Sequence, residues 1–370
     1  MDDAPGGDGG AGDDLQHLLE VEEPAAAAAA PWWRLPPVLV RAATHTVAGA
    51  PVHAWIQLTV AVGAVSTAAS AFLLARDVPP ALLAGWRLFL VTLLLVPLSF
   101  ATWRRADAKL RQKWRDSLHL MVTSGLALAG HFGSFVASTQ RTALTHSLLL
   151  VSATPVVLAA WSFVKRQPLS RGELVGTAVS VVGGAVLVSD ARDDRTVTLV
   201  GDLCALAGAV FFAAYLTLGQ SVRSWCPLFL YVLVVNGTAA VALLLCAAAF
   251  EGATLFGAGK QGLFGYLTVG RYAGVTVYLA VVAGIVGHTS FNAVLEHISP
   301  LVITVSLTSE PLFGSLLGAA LGVATPPHLL AYIGGAILLG STLLVVYSEA
   351  KRKEGGACTD TPADVVEAPT

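Results

Sequence analysis

The chain has 370 residues and a net charge of −2, with 55% hydrophobic and only 12% charged residues; its mean hydropathy is +0.70. Soluble domains carry about 25% charged residues, so this composition excludes an ordinary water-soluble protein and indicates a polytopic membrane protein whose first partner is the lipid bilayer. No nucleic-acid partner is expected.

The start of the chain is a different material. Residues 1–30 combine Asp, Glu and Gly with an alanine run from Ala25 to Ala30, which offers too little bulky apolar surface to fold, so residues 1–50 are expected to form a disordered cytosolic tail. The acidity argues against an organellar transit peptide, and no short apolar signal sequence opens the chain. Asp14, Leu18 and Leu19 fit the acidic dileucine signal read by sorting adaptors at eukaryotic endomembranes, although six residues of this kind also arise by chance in an acidic tail.

Ten apolar runs follow, near 54–75, 81–103, 117–139, 142–164, 172–190, 198–220, 227–249, 276–297, 300–323 and 328–348. About 20 apolar residues span the ~30 Å of hydrocarbon as a helix, and only helices satisfy their own backbone in segments this long and uniformly apolar. Pro79-Pro80, Pro227, Pro300 and Pro326-Pro327 mark starts, because a first helical turn loses nothing with the proline nitrogen. With a cytosolic N-terminus, 15 Lys and Arg fall on the cytosolic side and 6 on the other. The positive-inside rule therefore places both termini in the cytosol, the second being a disordered tail over 350–370.

Cys204, Cys226, Cys246 and Cys358 form neither a metal spacing nor a disulfide framework. No metal site or cofactor is expected. Asn236-Gly237-Thr238 spells a glycosylation acceptor but sits inside the seventh run, beyond a transferase's reach.

One signature occurs twice. Gly130-His131 is followed by Pro155, 24 residues after the His, and Gly287-His288 by Pro311, 23 residues after its His. Each copy has a His-bearing run, a run with a central Pro, and a Gly-rich run opening near Gly176 or Gly334-Gly335. Five runs per half give successive repeats opposite orientations, the inverted topology of many secondary transporters, whose sites lie near the midplane between the halves. The expected fold is an all-α membrane protein of ten transmembrane helices in two inverted five-helix repeats, 51–193 and 194–349.

The residues from Gly201 to Ala209 leading to Ala213-Ala214-Tyr215, with Gly287-His288-Thr289-Ser290-Phe291-Asn292 and Ser309-Glu310-Pro311, resemble the second repeat of EamA-type members of the drug/metabolite transporter superfamily. Trp86-Arg87-Leu88-Phe89 and Ala153-Thr154-Pro155 resemble the first, so that the resemblance covers about residues 55–348. It implies a ten-helix inverted-repeat carrier, commonly an exporter of small metabolites or amino acids. The family usually has acids where this sequence has Gln167 and Thr325, which puts any gating role at those positions in doubt.

Glu310 falls near mid-depth, where an ionised acid costs about 2.5–3.5 kcal/mol. It is a candidate for proton coupling or for binding a substrate amine, against an anchoring role or a pairing with Arg87. His131 and His288 are candidates because imidazole titrates near pH 6.5; interhelical hydrogen bonding is the alternative for each. Asn292 lies one turn from His288. Tyr215, Ser138 and His146 are further cavity candidates. Pro155 and Pro311 free the carbonyls of Val151 and Leu307 and are read mainly as kinks. Arg87 is read as a structural residue snorkelling to the outer surface, and Asp202 as complementing the start of its helix.

No nucleophile, base and orienter converge, so the chain is not expected to be an enzyme. The expected function is a secondary active transporter, exporting small polar or amphiphilic metabolites such as amino acids, with protons as a coupling ion. Substrate-binding residues are His131, His288, Asn292, Glu310 and Tyr215. A sugar-phosphate or nucleotide-sugar antiporter would need more cations than one span Arg, a divalent-cation channel more carboxylates, and a non-transporting scaffold also accommodates the Gly and Ala of the spans. The expected address is the plasma membrane or an endosomal or vacuolar membrane.

Overall fold

The computed structural model describes residues 46–142, 144–167, 169–189, 197–310, 312–313, 316 and 329–357, with side chains at 144–146, 187–188, 331 and 353–357 also left aside. Asp14, Leu18, Leu19, Pro311, Thr325, the His146 side chain and residues 314–315 and 317–323 of the ninth run lie outside the described residues.

A two-residue hairpin, β1 (Thr46–Val47) and β2 (Ala50–Pro51), opens this part. Its turn places Ala48 at φ 50° and Gly49 at φ 76°, the left-handed pair that matches strand twist in tight hairpins. Helices follow almost without interruption. They are α1 (Val52–Val65), α2 (Ala68–Leu73), α3 (Pro80–Arg105), α4 (Ala108–Asp116), α5 (Leu118–Arg141), α6 (Leu144–Val151), α7 (Thr154–Val164), α8 (Arg171–Ser189), α9 (Leu199–Arg223) and α10 (Leu228–Phe250). After a looped segment come α11 (Gly270–Tyr278), a π-helical stretch (Leu279–Thr289), α12 (Ser290–Val294), α13 (Pro300–Leu307) and α14 (Leu329–Ala357).

Among the described residues eight segments are long and apolar enough to cross a membrane: Val52–Leu73, Pro80–Arg105, Leu118–Arg141, Ser147–Val164, Leu199–Arg223, Leu228–Phe250, Gly270–Val294 and Tyr332–Arg352. The 19-residue α8 lies where the fifth run is expected, and α13 begins where the ninth is. Leu93, Phe100, Leu245, Phe250 and Leu343 are among many large apolar side chains facing outward, as a surface bathed in lipid requires.

Helix starts are held by side chains. Ala81 and Leu82 at the start of α3 donate their N–H groups to the Glu251 carboxylate, 2.9 and 3.0 Å away. Asp107 caps α4 through Leu110 N–H, and Thr198 caps α9 through Gly201 N–H. Asp202 therefore stands in the first turn of α9 rather than at its cap, and accepts from the Thr142 hydroxyl at 2.8 Å. At α8, Ser170 and Glu173 form a reciprocal capping box. Glu173 is fully buried, and Arg352 of α14 donates to it with both Nε and Nη2.

Three helix pairs run side by side, α5 with α9, α8 with α14, and α3 with α10; α1 lies along the π-helical stretch. The repeated Gly-His dipeptide sits at two of these contacts. A Cβ at Gly130 would stand 2.7 Å from the Phe211 ring of α9, and one at Gly287 2.5 Å from Val65 Cγ1 of α1. Hydrogen at both positions lets the backbones close up, the packing that drives association where lipid is as apolar as leucine.

Two of the eight segments and α13 are interrupted. α1 gives way to α2 at Ser66-Thr67, α6 to α7 at Ser152-Ala153, and α13 ends in a turn at Thr308-Ser309. Hydroxyls occupy carbonyls around each break: Ser66 donates to Val62 O, Thr67 to Ala64 O, Thr154 to Val151 O, Thr308 to Val305 O and Ser309 to Ser306 O. Pro155 stands in the first turn of α7. The Val151 carbonyl that it leaves free is thus taken by Thr154, 2.7 Å away.

Candidate functional site

The three breaks surround one small cavity of about 50 Å³. Val65 and Ala68 flank it from the first break, Val151, Ser152 and Thr154 from the second, and Leu307 and Glu310 from the third. Arg87 of α3, His131 of α5, His288 of the π-helical stretch and Thr304 of α13 complete its polar lining, and Phe132, Phe135, Phe212 and Phe291 its aromatic walls. A cavity holding one water needs about 10–15 Å³ on this measure, so the space admits a few waters, far below the ~300–1,000 Å³ of a metabolite site.

Arg87 is 1% exposed, which overturns the expectation of a snorkelling side chain. Its guanidinium lies over the Phe132 ring, 4.1 Å from the centroid, and Phe72 stands at 5.8 Å on another side. Nη2 donates to Ala283 O at 3.0 Å. Nε and Nη1 have no hydrogen-bond partner among the described residues.

His131 and His288 face each other at the cavity with their rings tilted by 43° and their centroids 6.2 Å apart. The His131 ring stacks on Phe212 at 4.6 Å, and its Nδ1 is 2.9 Å from Gly208 O, a bond that ties α5 to α9. His288 packs against Phe132 at 4.8 Å, and its buried Nδ1 has no partner among the described residues. The π-helical stretch carries His288; such i→i+5 turns widen a helix and frequently accompany functional sites.

Asn292 and Tyr215 do not line this cavity. The Asn292 amide donates to the Tyr215 hydroxyl at 2.5 Å and to His288 O at 2.8 Å, so both belong to a buried polar layer beside it. Ser124 and Tyr231 share a hydrogen bond of 2.7 Å in the same layer. Below it Arg223 donates through Nε to Asn292 O at 2.8 Å and through Nη2 to Glu296 at 2.9 Å. Ser138, expected near the cavity, is bonded to Ser147 instead, and Asn236 is buried in α10 with its amide on Val232 O.

The opposite end is covered by the looped segment between α10 and α11. Trp86, next to Arg87, donates its indole N–H to Leu263 O at 3.0 Å and packs on Tyr266 and Tyr272. Asp77 accepts from Arg271 at 2.7 Å and from the Tyr272 hydroxyl. The Tyr272 hydrogen bond, with help from the Arg271 charge, holds the Asp77 carboxyl below the usual carboxylate range.

With that geometry in place, comparison with known proteins places the first half. Residues 51–189 match the EamA-like transporter family. This EamA-like segment, a domain of the drug/metabolite transporter superfamily, contributes Arg87, His131 and Thr154 to the cavity. None of the curated proteins matches the chain. A solved crystal structure of a protein, at 20% identity, covers 82% of this chain and 99% of its own with a TM-score of 0.64, a likeness of fold alone.

The sequence reading found His131, His288 and Glu310 for the cavity but missed the part of Arg87 in it. The available signal was its standing as the one basic residue well inside a span. Phe132, one residue after His131, gave no signal of its own because phenylalanine is common in spans.

Proposed function

We propose that the protein is a secondary active transporter of small polar or amphiphilic metabolites, amino acids among them, working by alternating access with ten spans in two inverted repeats, 51–193 and 194–349. The observation that carries the reading is the convergence of charged and polar groups from both halves on one midmembrane cavity: Arg87 and His131 from the first, His288 and Glu310 from the second. Helix pairing supports the inverted repeat. Exchanging the halves turns the α5–α9 contact into the contact between α1 and the π-helical stretch, while α3–α10 and α8–α14 each map onto themselves. Both termini then lie in the cytosol, with the bonded Arg223–Glu296 pair at the cytosolic end and Asp77–Arg271 at the other. The acidic dileucine of Asp14, Leu18 and Leu19 favours a plasma-membrane or endosomal/vacuolar address.

In this reading Glu310 carries the coupling proton, since a carboxyl facing a small cavity inside hydrocarbon is far more stable neutral than charged. Asn292 and Tyr215 support His288 rather than touch the solute. The experiment is solute flux into proteoliposomes from a metabolite panel, with and without a pH gradient. A gradient-driven flux that Glu310→Gln uncouples is expected. Flux indifferent to both the gradient and the substitution sinks proton coupling, and the absence of flux for any solute sinks the transporter.

A further inference from the structure

We infer that the solute carries a single carboxylate, received by Arg87, with an apolar body lying against the phenylalanine walls. The inference rests on the reading of this cavity as the transport site and names the class of solute it takes. Arg87 supplies the geometry. A guanidinium has five N–H donors in a planar fork, and here one nitrogen is used by Ala283 O while Nε and Nη1 stay without a partner among the described residues in a side chain 1% exposed. Leaving such donors unmet inside hydrocarbon is costly. Phe132 beneath the guanidinium fixes its plane by a cation–π contact at 4.1 Å without engaging any N–H. Nη2 keeps a second N–H beside the one given to Ala283 O, so it still forms a two-pronged edge with Nε or with Nη1, the edge that carboxylates match in pairs of parallel hydrogen bonds.

Charge sets the limit to one carboxylate. Arg87 is the one cation lining the cavity among the described residues, and Glu310 shares the same space. A phosphate ester or a dicarboxylate would bring a second negative charge with no partner, at high cost in a medium of low dielectric. His288 adds a further polar atom, its unpartnered Nδ1, which in the N–H tautomer donates to the same oxygens. Most of the remaining lining is apolar, with Val65, Val151, Phe135, Phe212, Phe291 and Leu307; the Thr154 and Thr304 hydroxyls already donate to Val151 O and Leu301 O, so the body of the solute meets a mainly apolar wall.

The test uses the purified full-length protein and paired ligands, 3-phenylpropionate with its amide, isocaproate with its amide, and phenyl phosphate. Binding is measured in detergent by equilibrium dialysis and flux in proteoliposomes. The acids are expected to bind about 10- to 100-fold more tightly than the amides, the range that hydrogen bonds to a charged partner produce, with phenyl phosphate no better than the amides. Arg87→Gln should erase the difference between acid and amide, and Arg87→Lys should retain part of it. Amides binding as well as acids in the unsubstituted protein overturn the inference, as does an acid preference that survives Arg87→Gln, or no binding of any acid. The comparison of acid with amide needs no variant, so a misfolded Arg87→Gln protein does not spare the inference. Binding that depends on Arg87 but yields no flux would instead overturn the transporter reading and leave the carboxylate site standing. Flux of neutral solutes that ignores Arg87→Gln would do the reverse.

Discussion

His131 and His288 stand at the same place in the two copies of a repeated dipeptide, and their rings come to 6.2 Å of each other with opposite hydrogen-bond status. The His131 Nδ1 is bonded to Gly208 O; the Nδ1 of His288 is unpartnered among the described residues. His131→Ala should therefore lower stability more, by about 1–3 kcal/mol from the lost bond and the stacked Phe212. His288→Ala should cost less stability and more flux. Unfolding of each variant in detergent, set beside its flux, checks the ranking.

The glycines of the same dipeptides should respond unequally to a methyl group. Gly287→Ala drives a Cβ against Val65, whose branched side chain has little rotamer freedom in a helix, and should lower stability by about 1–3 kcal/mol. Gly130→Ala meets Phe211, which is 41% exposed at the outer surface and can swing toward lipid. A smaller loss is expected there, and Tm values of the two variants decide it.

Glu173 is fully buried and bonded to Ser170 N–H and Arg352. Removing the cation strands a buried carboxylate, so Arg352→Ala should destabilise by about 1–3 kcal/mol, below the full cost of a broken buried pair because Arg352 is 39% exposed. Glu173→Gln retains a hydrogen-bonding side chain and should cost less. Lys351→Ala, exposed beside it, should stay within about 0.5 kcal/mol. Chemical or thermal unfolding in detergent gives the order.

The Asp77 cluster predicts a pH dependence. Its carboxyl is lowered by the Tyr272 hydrogen bond and the Arg271 charge, so the folded state holds the proton less tightly than the unfolded chain. The stabilisation is complete above the unfolded value of about 3.9 and is lost as the pH falls through the lower folded value. The Tm gap between the unsubstituted protein and Asp77→Asn should be widest near neutral pH, close as the solution is taken below about pH 4, and shrink in high salt because the pair is partly exposed.

Tyr215→Phe separates support from contact. Its hydroxyl accepts from the Asn292 amide and does not face the cavity, so the variant should lose about 1–2 kcal/mol of stability with the order of solute preference unchanged. A changed order among solutes would place Tyr215 in contact with them.

Most of the helical frame was legible in the sequence because crossing lipid imposes length and apolarity together: eight of the expected runs recur as helices with ends shifted by a few residues. Prolines 79, 80 and 300 marked starts for the reason given by backbone chemistry. The interruptions at Ser66-Thr67 and Ser152-Ala153 and the π-helical stretch around His288 left no mark in hydropathy, since a broken apolar helix reads like an unbroken one. The pairing of Glu173 with Arg352 joins residues 179 apart. Its local half is the Ser170-to-Glu173 capping box; nothing near either residue in the chain points to the other partner. Arg87 was misjudged because depth along a span says nothing about which way the side chain turns; Phe132, from another helix, holds it inward.

The hydroxyls at the three breaks have a mechanical consequence. In an unbroken helix, bending deep in hydrocarbon strips a carbonyl of its partner at a cost of several kcal/mol. At Val62, Ala64, Val151, Val305 and Ser306 a Ser or Thr side chain already grips the carbonyl and can follow it through a rotation. Residues at all three breaks line the cavity, so a rotation at any one of them would alter its width.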